Sequence, residues 1–104
     1  MAIDVKLTNT PYGFDIENGY LNIGRMEVES YADENQDMVK VLNYYIQIFG
    51  TKEAKEKGAV PIAVQKFTIP YTGETDLFLT AYIHLKSIED LKWYDMSIEL
   101  KGDI

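Results

Sequence analysis

Met38-Val39-Lys40-Val41-Leu42-Asn43-Tyr44-Tyr45-Ile46-Gln47-Ile48-Phe49 is the stretch that decides the fold class. It is dense in Val, Ile, Tyr and Phe, the residues that fit a pleated surface. Val39, Val41, Tyr45 and Phe49 share one parity, and Leu42, Tyr44, Ile46 and Ile48 share the other. Because both parities are largely apolar, the strand is expected to be covered on both faces, by its own core and by something else. Upstream, Tyr20 to Ser30 reads as a second long strand. Its apolar residues change parity from Leu21 and Ile23 to Met26 and Val28, and a β-bulge at Gly24-Arg25 would re-aim them. Two strands of about eleven residues, at roughly 3.3 Å each, make a hairpin of about 36 Å. A domain of this mass has a radius of gyration near 13 Å, by the usual scaling of about 2.2·N^0.38. Part of the hairpin is expected to project.

The flanking segments complete a β-rich pattern. Ile3, Val5 and Leu7 alternate with Asp4 and Lys6, the period of a half-buried strand. Pro11-Tyr12-Gly13 and Asn18-Gly19 read as turns around a short segment holding Phe14 and Ile16. Thr51 to Gly58 reads as a short surface helix capped by Thr51, or as a loop. Ile62 to Tyr71 is a strand with Phe67, Ile69 and Tyr71 inward, and Pro70 marks its end or an edge. Thr75 to Ser87 is the helix, with Leu77, Phe78, Ala81, Tyr82, Leu85 and Ile88 on one apolar stripe. Leu91 to Tyr94 reads as a connector or a helical turn, and Met96, Ile98 and Leu100 alternate in a last strand. The sum is one α+β domain over residues 1–104. It consists of a mostly antiparallel sheet of five or six strands, a long hairpin, and one amphipathic helix packed on the sheet.

Composition narrows the function classes. The 104 residues carry a formal charge of −7, which argues against direct nucleic-acid binding, since that needs a basic face. The absence of cysteine excludes disulfides, thiolate metal sites and cysteine nucleophiles, and suits a cytosolic or particle-bound protein. The start of the chain has neither a basic nor a long apolar region, so no secretory signal is expected. The apolar stretch at 38–49 is too short to span a bilayer.

Little in the pattern points to catalysis. His84 has Thr80 and Ile88 one helical turn away, so an ordinary half-buried or exposed helix residue is favoured over a general base or metal ligand. Ser30, Ser87 and Ser97 sit in no nucleophile pattern. Glu27, Glu29, Asp33, Glu34 and Asp37 gather within eleven residues, and Asp33-x-Asn35-x-Asp37 copies the first ligand positions of a calcium loop. However, Met38 stands where that loop needs glycine, and Tyr44 where it needs a bidentate glutamate. A solvated hairpin tip formed by Asp33, Glu34, Asn35 and Asp37 is the plainer reading. No cofactor and no small-molecule substrate are expected. The eight tyrosines are more informative, because tyrosine is enriched at protein interfaces. Val41, Tyr44, Tyr45 and Phe49 are the candidate contact residues, with at least one of Tyr44 and Tyr45 outside the monomer core.

The order of segments resembles small proteins of the structural-gene modules of tailed bacteriophages. The matching stretches are Met1-Ala2-Ile3-Asp4-Val5, Asn18-Gly19-Tyr20-Leu21-Asn22-Ile23, Thr51-Lys52-Glu53-Ala54 with Pro61-Ile62, Phe67-Thr68-Ile69-Pro70-Tyr71, and Thr80-Ala81-Tyr82-Ile83-His84-Leu85-Lys86. The resemblance implies a non-enzymatic virion component of the tail, baseplate, neck or head surface, assembled in the host cytoplasm. Its partners would be itself or neighbouring virion proteins. A second expectation is a small acidic inhibitor that occupies a basic site on a host protein. A small enzyme working through carboxylates comes last.

Overall fold

The computed structural model describes residues 2–73 and 75–103. Six strands form one antiparallel sheet in the order β4-β3-β2-β1-β6-β5. They are β1 (Ala2–Thr8), β2 (Ile16–Ala32), β3 (Met38–Phe49), β4 (Ala63–Pro70), β5 (Lys92–Trp93) and β6 (Met96–Asp103). Two helices are present, α1 (Lys52–Glu56) and α2 (Leu77–Ser87). The α+β, β-rich reading therefore holds.

One face of the sheet carries the core. Leu21 pairs with Ile48, Ile23 with Ile46 and Met26 with Tyr44, and β4 adds Ala63, Phe67 and Ile69 on the same side. Helix α2 covers this face with Ala81, Tyr82 and Leu85, which join Ile3, Val5, Leu7, Met96 and Ile98 in a single cluster. The helix begins at Leu77 because Asp76 caps it: its carboxylate accepts the Leu79 N–H at 3.0 Å, and its carbonyl accepts the Thr80 hydroxyl at 2.9 Å. The β2–β3 register shifts between Ile23 and Arg25, where the parity switch placed a bulge. That shift returns Met26 and Val28 to the core side.

Two local readings are corrected. Asn18-Gly19 is not a turn but lies inside β2, with Gly19 opposite Val5. A Cβ at Gly19 would stand 2.9 Å from Val5 Cγ2 and 3.2 Å from the Val5 carbonyl oxygen, so the glycine permits a close approach of two strands. Gly19→Ala should therefore cost about 1–3 kcal/mol by overpacking, read as a lower denaturation midpoint. Leu91 to Tyr94 is neither connector nor helical turn: Lys92-Trp93 pairs with Met96-Ser97 as a two-residue hairpin. Tyr94 at its tip takes φ +54°, a left-handed backbone that costs a non-glycine residue about 1–2 kcal/mol.

The molecule is elongated, 49 × 25 × 23 Å with a radius of gyration of 15.3 Å. The excess over the roughly 13 Å of a compact chain comes from the β2–β3 hairpin, paired from Tyr20–Phe49 out to Ala32–Met38. Its distal residues are mostly exposed. Sheet order leaves β4 at one edge, and the Tyr71 N–H donates to the Lys40 carbonyl at 3.1 Å. By alternation the even-numbered residues of β4 turn their backbone groups to the open side. Pro70 falls on that side, where its missing N–H costs no ladder bond.

Candidate interaction surface

The four residues read as a contact patch separate in the fold. Tyr44 has no exposed surface: its ring stacks on Phe67 at 5.3 Å, and its hydroxyl lies 2.6 Å from His84 Nδ1. Burial raises the phenol pKa well above its ordinary 10.0, so the hydroxyl keeps its proton within hydrogen-bond distance of the imidazole. Tyr44 is thus a core residue and leaves the candidate contact set. Phe49, 5% exposed and beside Tyr20, is likewise covered within the monomer. Val41 and Tyr45 remain half-exposed on the outer face of β3. Arg25 and Lys66 stand over the Tyr45 ring at 5.4 and 5.9 Å. Between Val41 and Tyr45, the Asn43 side chain is 1% exposed and accepts the Thr68 hydroxyl at 2.6 Å. The second face of β3 is therefore a mixed polar and aromatic surface, not the broad apolar face the alternation suggests.

The acidic tip is held by its own backbone. One carboxylate oxygen of Asp33 accepts the N–H groups of Asn35 and Asp37 at 2.8 and 3.0 Å. The Gln36 N–H closes a turn onto the Asp33 carbonyl, and Gln36 adopts φ +65°. This is the three-residue hairpin loop with a left-handed final residue. Asp33 serves the turn, while Glu34, Asn35 and Asp37 are exposed. Among the described residues no group of three or more His, Asp or Glu is placed to hold a metal ion.

Apolar exposure lies elsewhere. On the core side of the hairpin, beyond the start of α2, Val28 is 42% and Met38 68% exposed, with Phe78 of α2 at 48%. The back of α2 adds Leu79 and Ile83, at 48% and 62%. The stripe that seats the helix was legible, but its apolar back was missed. The clue was the composition of Leu77 to Leu85, which contains no Asp, Glu, Lys or Arg and so has no charged face to give to water.

Two of the surface cavities have aromatic walls. One of about 600 Å³ is lined by Tyr12, Phe14, Ile16 and Ala54, with acidic Asp15 and Glu17 at its wall. The other, of about 360 Å³, is lined by Asn9, Thr10, Trp93, Tyr94 and Asp95. Among the described residues the ion pairs are Lys6–Glu17 and Arg25–Glu27, both at the surface. Such pairs contribute little to stability. No helix among them is long and apolar enough to cross a membrane. Compared with protein-family models, curated proteins and solved structures, the chain matches none.

Proposed function

We propose that the chain is a non-enzymatic structural subunit, of the kind found in the virions of tailed bacteriophages, that docks on copies of itself or on neighbouring subunits. The observation that carries this reading is the projecting hairpin, with Val28 and Met38 left in water on the sheet face that α2 covers further in. Apolar side chains grouped this way lower their free energy by burial against another protein. A stable contact buries about 1,200–2,000 Å² in total, a scale that a hairpin and a helix face can supply together. The segment resemblance to phage structural proteins supports the same assignment.

The test is solution mass by light scattering after size exclusion, at low and high salt, for the 11.9 kDa chain and for the double variant Val28→Asp/Met38→Asp. The parent should exceed monomer mass and keep it at high salt, and the variant should run as a folded monomer. If the variant assembles like the parent, the hairpin is not the contact. A parent that stays monomeric at every concentration overturns self-assembly. That outcome favours the acidic inhibitor, a reading supported by the exposed Glu29, Glu34 and Asp37 on the hairpin. An inhibitor of that kind should lose affinity steeply as salt rises.

A further inference from the structure

Among the described residues, two of the four non-glycine residues with left-handed backbone, Asn9 at φ +56° and Tyr94 at φ +54°, line the same cavity of about 360 Å³. Asparagine tolerates that conformation, and here its amide nitrogen donates to the Asp95 carbonyl at 3.0 Å, tying β1's end to the β5–β6 turn. Tyrosine does not share that tolerance. At the first position of a two-residue hairpin loop, glycine would carry the positive φ without strain. Tyr94 is also 84% exposed, so its ring recovers almost nothing by burial in the monomer. Neither backbone geometry nor core packing accounts for an aromatic side chain at this place. Strained residues of this sort collect at binding sites.

The ring's surroundings define what it would bind. Trp93 meets Tyr94 at 4.7 Å between centroids with an interplanar angle of 87°. The two perpendicular rings form a corner, and both residues line the cavity, so one ligand there can meet both aromatic side chains. Acidic Asp95 and polar Asn9 and Thr10 are also among the lining residues, and the lining contains no lysine or arginine. The chain around it carries a net charge of −7. Aromatic faces with an adjacent carboxylate attract a large, weakly hydrated cation and disfavour anions. We propose that the Trp93–Tyr94 corner is a binding site for a quaternary or methylated ammonium group. The inference is independent of the assembly reading, since the cleft and the hairpin are built from different strands.

Trp93 is the only tryptophan, so its fluorescence reports the site directly. Choline chloride should change the Trp93 emission saturably, whereas 3,3-dimethyl-1-butanol, its uncharged isostere, should bind at least about ten-fold more weakly. Sodium chloride at matched ionic strength controls for salt. Tyr94→Gly should weaken choline binding about ten-fold or more, while raising the melting temperature by roughly 4 °C through relief of the left-handed strain. Asp95→Asn should weaken binding and leave the isostere's response unchanged. Equal responses to choline and its isostere would overturn the proposal in favour of a plain apolar contact. A Tyr94→Gly protein that binds choline like the parent would overturn it too.

Discussion

Tyr44→Ala should cost about 3–5 kcal/mol, the usual range for truncating a large buried aromatic. With domain stabilities of about 5–15 kcal/mol, that loss takes the protein to the edge of folding at room temperature. Three contacts disappear together: the stack on Phe67 at 5.3 Å, the edge contact with His84 at 5.7 Å, and the hydroxyl bond to Nδ1. Tyr44→Phe keeps the packing and loses only the bond, for about 1 kcal/mol. Urea denaturation of both variants separates the two contributions. The same residue sets a pH dependence. Its pKa is higher folded than unfolded, so between the two values the native state holds a proton that the unfolded state has released. The Tyr44 contribution is complete below the ordinary value of 10.0 and falls as pH rises above it. Tyr44→Phe should lack that part of the alkaline loss, as measured by denaturation at pH 8 and above about pH 10. Equal alkaline slopes would show that the buried phenol is not the group responsible.

The seat of α2 makes the second large prediction. Leu85 has no exposed surface and packs among the sheet residues, whereas Ile83, two positions away, is 62% exposed. Leu85→Ala should cost about 2–5 kcal/mol through lost burial and the cavity left behind. Ile83→Ala should fall within about 0.5 kcal/mol of the parent, since it removes atoms already in water. If the two costs were similar, the helix would be rotated on the sheet. Ile83 is also informative for assembly. A substitution that leaves stability unchanged but lowers the assembled mass would place the helix back in the docking surface beside the hairpin.

Much of the architecture was legible in local pattern. The parity switch at Gly24-Arg25 located the bulge, because a period of two tolerates no extra residue without re-aiming everything beyond it. Met38 to Phe49 announced a long central strand through its side-chain types alone. The segment from Thr51 read as a capped helix or a loop; the helix forms, Thr51 caps it, and Gly58 just past its end takes φ +78°. The hairpin's projection followed from comparing strand length with domain size.

What the local pattern could not decide was which face of each element meets what. Both parities of β3 are apolar in composition, so only the tertiary arrangement determines that Tyr44 turns to the core and Tyr45 to Arg25 and Lys66. His84 had no partner within a helical turn, and its partner arrived from β3, forty residues away in sequence. Asn18-Gly19 carries the chemistry of a turn, yet the approach of β1 made it strand. The corner of Trp93 and Tyr94 needed the end of β1 to be brought against the β5–β6 hairpin. Side-chain type and spacing determine what an element can become, because backbone geometry and hydrophobic period act over a few residues. Which surfaces are buried, strained or left in water depends on contacts between distant segments, and those exist only once the chain has folded.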